Sequence, residues 1–255
     1  MCEPLFGRAG SPYTDNYGVD WPDNDIRFAR LASAAADIAL QTAHMDWCPD
    51  VVHVHDWQAA LTPAYLAWRG SNMPTVLTIH NLAYQGLFDK SRLAALSIPD
   101  AAFRVDGAEF HGRISFLKAG IFYATHVNTV SPTYAHEITT PEYGCGLDGL
   151  LRARRDEGRL SGILNGIGPN WAAPEFVAND DAADDDYRTR KRRYAKEVRR
   201  SFGLTEESRP LFAIVSRLVH QKGVDIAIEA SAAVVRNGGQ LVTIGKGEEK
   251  LEGAL

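Results

Sequence analysis

Short β-branched runs that alternate with helical stretches constrain this chain more than any other feature of its sequence. The runs are Val51-Val52-His53-Val54-His55, Thr75-Val76-Leu77-Thr78-Ile79-His80, His126-Val127-Asn128-Thr129-Val130-Ser131, Leu211-Phe212-Ala213-Ile214-Val215 and Gln240-Leu241-Val242-Thr243-Ile244. They lack strict alternation, which predicts strands buried on both faces of a parallel sheet. Between them, Asp25 to Thr42 puts Ile26, Ala29, Ala32, Ala36 and Ala39 on one helical stripe, with Asp23 or Asn24 as the N-cap. Ile114 to Ala124 is apolar nearly all round and predicts a buried helix. Val224 to Arg236 predicts a helix closed by Asn237-Gly238-Gly239. The alternation as a whole gives an α/β fold with parallel sheets.

Composition narrows the function classes. The 255 residues are 45% hydrophobic and 23% charged, which allows one large or two modest domains. No uninterrupted apolar window is long enough to span a membrane, and Met1-Cys2-Glu3-Pro4 does not open like a secretory signal. A net charge of −5 weighs against nucleic acid as a partner. Cys2, Cys48 and Cys145 are odd in number and show no Cys-x-x-Cys spacing, so a reducing cytoplasm is the expected location.

The composition shifts between residues 166 and 210. Gly168-Pro169 and Ala173-Pro174 punctuate a loop, Asp180 to Asp186 is acidic, and Arg188 to Arg200 carries eight Lys or Arg residues. The acids nearly balance the bases, so the basic stretch reads as a solvated amphipathic helix in a connector. The domain boundaries follow: 1–167 is a first Rossmann-like domain, 168–209 a connector, and 210–255 the beginning of a second, nucleotide-binding one.

Ligands of open parallel sheets bind beyond the carboxyl ends of the strands, and here those positions are polar. The first run leads into Asp56-Trp57-Gln58, the second into Asn81-Leu82-Ala83-Tyr84-Gln85-Gly86, and Gly162-Ile163-Leu164 into Asn165-Gly166. The fourth leads into Ser216-Arg217-Leu218-Val219-His220-Gln221-Lys222-Gly223, and the fifth into Gly245-Lys246-Gly247-Glu248. Arg217 and Lys222, two cations before a helix N-terminus, suit an anionic ligand such as a phosphate; exposed surface cations are the alternative. His53, His55 and Asp56 lack a further ligand at metal-binding spacing. The chain has no P-loop and no Gly-x-Ser-x-Gly elbow, and Gly245-x-Gly247 lacks the third glycine of a dinucleotide fingerprint.

Several segments closely resemble bacterial glycogen synthases and plant starch synthases. They are His53-Val-His-Asp-Trp-Gln58, Thr78-Ile-His-Asn-Leu-Ala-Tyr-Gln-Gly86, Ile114-Ser-Phe-Leu-Lys-Ala-Gly120, Thr129-Val-Ser-Pro-Thr-Tyr-Ala135 and Gly162-Ile-Leu-Asn-Gly-Ile167. Ser216-Arg-Leu-Val-His-Gln-Lys-Gly223 and Gly239-Gln-Leu-Val-Thr-Ile-Gly245 continue the resemblance in the same order. The resemblance implies a two-domain GT-B fold and transfer of glucose from ADP-glucose to the non-reducing end of an α-1,4-glucan, with retention and with no metal or cofactor. It implies that Arg217 and Lys222 hold the diphosphate, that His80 lies beside the donor glucose, and that Asp56, Asn81 and Asn165 bind substrate.

The chain also departs from the family pattern. The family's opening Lys-x-Gly-Gly-Leu loop and its later Glu-Pro-Cys-Gly-Leu segment have no counterpart here, Gly168 stands where Asp is usual, and Gln58 where some members have His. By this reading the chain is truncated at both ends, and residues 1–255 alone are expected to be inactive. The alternative is a catalytically silent truncated product that binds glucan or a partner protein.

Overall fold

The structure, a computed structural model, describes residues 3–42, 45–168, 186–206 and 209–255. The loop prolines Pro169 and Pro174 and the acidic stretch before Asp186 lie outside the described residues. The chain divides into two compact units, Met1–Ile167 and Gly168–Leu255.

The first unit runs α1 (Glu3–Phe6), α2 (Asn24–Ala39), β1 (Val52–His55), α3 (Asp56–Ala59), α4 (Leu61–Trp68), β2 (Thr75–Ile79) and β3 (Leu87–Asp89). It continues with β4 (Glu109–Phe110), β5 (Arg113–Ser115), α5 (Phe116–Tyr123), β6 (His126–Thr129), α6 (Pro132–Glu137), α7 (Asp148–Asp156) and β7 (Leu160–Gly162). Four strands form a parallel sheet in the order β1-β2-β6-β7, and β3-β5-β4 form a small antiparallel one.

Helix α2 uses the stripe expected of it: Ala29, Ala32, Ala36 and Ala39 are buried on the side facing α3 and α4, with Ile26 partly buried beside them. Asp23 occupies the N-cap but makes no side-chain cap bond, because Arg8 takes its carboxylate at 2.8 and 2.7 Å. Helix α5 starts later than its apolar run, since Ile114 pairs with Phe88 and Glu109 in the antiparallel sheet. Ser115 then caps the helix, its hydroxyl accepting the Lys118 N–H at 3.1 Å. Tyr65 on α4 donates to the Leu96 carbonyl at 2.5 Å, and burial pushes its pKa up to about 12.

The parallel sheet corrects one expectation: it is not apolar on both faces. Val54, Leu77, Ile79 and Val127 point into a core closed by Leu117 and Ile121 of α5, Ile138, and Leu151 of α7. The other face carries a side-chain hydrogen-bond ladder across the strands, partly between register partners and partly diagonal. His53 bonds Thr78 at 2.7 Å, Asn128 donates to Thr78 at 3.3 Å, Ser161 to Asn128 at 3.4 Å, and His126 bonds Ser161 at 2.8 Å. His53 and His55 are exposed. Polar groups that satisfy one another can occupy a face that an apolar layer would otherwise have to cover, so β1 reads Val-His-Val-His as a true alternation.

The second unit runs α8 (Tyr187–Ser201), β8 (Leu211–Val215), α9 (Val224–Arg236), β9 (Gln240–Ile244) and α10 (Glu249–Glu252). The two strands pair in parallel from Leu211↔Gln240 to Val215↔Ile244. Their core is small: Leu218, Val224 and Leu251 with Ile228. Phe212, Val215, Ile226 and Ile244 are largely exposed, so here too the expected two-sided burial is absent among the described residues. Arg199 of α8 is buried and donates to Gln240 at 2.6 Å, tying the basic helix to the start of β9.

Phe116 at the start of α5 is fully buried in the core that α5 shares with α4. Phe116→Ala is expected to cost about 3–5 kcal/mol, whereas Val105→Ala on the surface stays within about 0.5 kcal/mol. Urea denaturation checks this as a lowered midpoint with an unchanged m-value for the first variant only.

Candidate functional site

Because β1 and β2 are parallel neighbours, the residues that follow them emerge side by side. Asp56 begins α3 with a left-handed backbone, φ +52°, a conformation Asp tolerates better than most residues. Its Oδ1 accepts the His80 N–H at 2.7 Å and the Asn81 N–H at 3.4 Å. The next amide, Leu82, donates to the Tyr134 hydroxyl at 3.0 Å, and Ala83 donates to the Asn81 side-chain oxygen at 3.1 Å. Four successive N–H groups beyond β2 therefore end on side chains. Farther along, buried Gln85 donates to the Cys145 carbonyl at 2.9 Å, while the carbonyls of Gln85 and Gly86 accept the first amides of α5. Gly86 has φ +62°, and a Cβ there would lie 2.4 Å from the Trp57 ring, so glycine is what lets the loop close over that indole.

The imidazoles of His53, His55 and His80 line this edge, each tilted to the next. The ring centroids of His53 and His55 are 4.4 Å apart, those of His55 and His80 5.3 Å, and His55 Nδ1 lies 3.1 Å from His80 Nε2. Burial first, then the neighbouring His53 and His80 rings, hold the His55 pKa below its ordinary value against the pull of Asp56. Among the described residues no group of three or more His, Cys, Asp or Glu side chains is placed to hold a metal ion.

Asn165 lies three residues past β7 on an exposed segment of the same unit. The sequence-predicted residues Asp56, His80 and Asn81 thus come together, and no bond joins Asn165 to them among the described residues. Reading the sequence alone missed His55 as the partner of His80, and missed Tyr134 and Gln85 as anchors of the loop. Adjacency of β1 and β2 was the signal for His55; nothing in the spacing pointed to the other two.

Arg217 and Lys222 belong to the second unit. Both are exposed, and neither has an ion-pair partner among the described residues. Arg217 follows β8, Lys222 ends the 3-10 turn His220–Lys222, and Gly223 at φ +66° leads into α9. Asp225 in the first turn of α9 pairs with His220 at 3.3 Å. The exits of β8 and β9 travel together, with Leu218 and Glu248 amides donating to Lys246 and Leu218 carbonyls at 3.1 and 2.9 Å. A Cβ on Gly245 would meet the Ser216 carbonyl at 2.0 Å, and one on Gly247 the Leu218 carbonyl at 2.1 Å. These glycines serve close backbone contact between the two strand exits.

Asp56→Ala is expected to lower stability by about 2 kcal/mol, because the His80 amide loses a charged acceptor. Asp56→Asn, which still accepts and tolerates φ > 0, recovers most of that loss. Denaturant titration together with hydrogen exchange at the His80 amide measures both effects.

Residues 1–153 match the family model of the starch synthase catalytic domain. The chain is 52% identical to glycogen synthase 1 of Bradyrhizobium diazoefficiens, with 100% of this chain and 55% of that protein covered. It is also 52% identical to the glycogen synthases of Pseudomonas fluorescens strain Pf0-1 and Pseudomonas aeruginosa, covering 52% and 50% of them. The chain spans about half the length of the curated relatives it matches. The solved catalytic domain of starch synthase IV from Arabidopsis thaliana, bound to ADP and acarbose, superposes with a TM-score of 0.77 at 30% identity, over 96% of this chain and 51% of that one. The fold is α/β of the GT-B type, and the chain belongs to the starch synthase catalytic domain family.

Proposed function

We propose that the protein works as a glycogen synthase, transferring glucose from ADP-glucose to the non-reducing end of an α-1,4-glucan with retention of configuration. The observation that carries this reading is the pair Arg217 and Lys222, exposed at the exit of β8 beside the N-terminus of α9. A guanidinium fork, a mobile ammonium and a helix N-terminus together suit a diphosphate. The relatives named above support the reaction class, and ADP bound to the Arabidopsis domain supports the nucleotide.

In this reading Arg217 and Lys222 bind the diphosphate and offset the charge that grows on it as the glycosidic bond breaks. Electrostatic assistance of that kind usually supplies the largest share of a rate enhancement. The transferring sugar becomes cationic, and the His80 carbonyl offers it a partial negative charge. Asp56 fixes the His80 backbone through its amide, while Asn81 and Asn165 bind sugar hydroxyls. The positive side chains take the place that a divalent cation would otherwise fill, so no metal or other cofactor enters the reaction. In this reading neither nucleic acid nor a membrane is a partner, in keeping with the net charge of −5, and the protein acts in the cytoplasm.

Arg217→Ala and Lys222→Ala are each expected to lower turnover by about two to three orders of magnitude. Steady-state kinetics of the complete protein with ADP-glucose and glycogen tests this, and near-normal turnover in either variant removes that residue from the mechanism. Exhaustive chelation is expected to leave the rate unchanged. Activity lost on chelation and restored by added metal would overturn the metal-free mechanism.

A further inference from the structure

His80 is held by β1 and its exit at two places. Its backbone amide donates to Asp56 Oδ1 at 2.7 Å, and its ring nitrogen Nε2 lies 3.1 Å from His55 Nδ1. A contact between two imidazole nitrogens is a hydrogen bond only when one nitrogen carries the proton and the other is bare. Two doubly protonated rings would place N–H against N–H, so at least one member of the pair is neutral. Of the two, His55 is the ring whose surroundings oppose charge: desolvation and the adjoining His53 and His80 rings outweigh Asp56 at the start of α3.

With both rings neutral, two proton assignments are open. In one, His80 Nε2–H donates to a bare His55 Nδ1, and both neutral rings carry their proton on Nε2. In the other, His55 Nδ1–H donates to a bare His80 Nε2, and both rings carry it on Nδ1. A neutral histidine side chain in water favours the Nε2–H form, so the first assignment leaves both rings in the preferred tautomer and the second leaves neither. The rest of the edge leaves this contact intact: His53 is engaged by Thr78 at 2.7 Å, and Thr78 in turn by Asn128 at 3.3 Å.

We infer that His55 is a positioning residue that fixes the tautomer and the ring orientation of His80, so that His80 keeps its proton on Nε2 and leaves Nδ1 bare as a hydrogen-bond acceptor. A histidine locked in this way can accept a hydrogen bond from a ligand hydroxyl through Nδ1 and cannot donate one there. A free imidazole offers both forms, and a ligand that needs one of them loses the fraction held in the other. The functional half of this inference rests on the glucosyl-transfer reading; the tautomer itself does not.

The test is nitrogen NMR on protein labelled with 15N at histidine, above the pH at which the rings titrate. In the wild type, His80 is expected to show a bare Nδ1 and a protonated Nε2. His55→Leu removes the acceptor from an exposed position and should bring the His80 signals to the averaged values of a free imidazole. His55→Asn places an amide oxygen where Nδ1 was and should restore the wild-type pattern. A protonated Nδ1 on His80 in the wild type, averaged signals there, or an unchanged pattern in His55→Leu would overturn the inference. In glucosyl transfer by the complete protein, His55→Leu is expected to lower kcat several-fold, with rescue by His55→Asn. Unaltered kcat in His55→Leu would overturn the functional half. Unaltered kcat in His80→Ala would instead remove the His80 ring from the reaction, leaving only its backbone carbonyl, while the nitrogen signals still decide the tautomer.

Discussion

Where a parallel strand ends, the chain leaves its ladder and each following N–H must find a new acceptor. Beyond β2 that requirement falls on four consecutive amides, and the side chains of Asp56, Tyr134 and Asn81 meet it. Much of the first unit depends on this arrangement. The loop so fixed carries the carbonyls of Gln85 and Gly86 to the first amides of α5, and it brings Gly86 against Trp57. Trp57 in turn packs edge-on to Phe28 of α2, with centroids 4.7 Å apart. A single carboxylate at the end of β1 thus connects strand exit, helix start and aromatic core.

The second unit meets the same requirement differently. Its two strand exits satisfy each other through the backbone, by a parallel bridge between Leu218 and Gly247, and the close approach excludes any side chain on Gly245 or Gly247. This leaves the side chains of Arg217 and Lys222 out of the structural bonding seen among the described residues. In the first unit side chains at the strand exits take up the freed amides; in the second the backbone does most of that work.

Much of the α/β alternation was legible because it rests on local signals. β8, β9 and α9 fall on the stretches predicted from their apolar runs and the Asn237-Gly238-Gly239 stop. The antiparallel sheet was not legible, since strands of two or three residues such as Glu109–Phe110 leave no periodic trace. Ile114 misled for a related reason: an apolar residue before a cap looks like the first turn of a helix. At the site, residue types and strand exits could be read off, but the Asp56–His80 and His55–His80 contacts join residues 24 and 25 positions apart. They exist only once β1 and β2 pair in parallel. Tyr134, coming from α6, was farther out of reach.

The polar ladder on the outer face of the main sheet also bears on how the sheet finds its alignment. Side chains repeat every two residues along a strand, so sliding β1 by one position would drive His53 and His55 into the apolar core and turn Val52 and Val54 outward. The same slip would separate His53 from Thr78. Misalignment would therefore be penalised on both faces at once, by imidazoles stranded without partners and by an emptied core. A sheet with two apolar faces has no such safeguard, because a slipped strand still finds apolar contacts on either side. The histidines of β1 act as an index mark for strand pairing, quite apart from anything they do to a ligand.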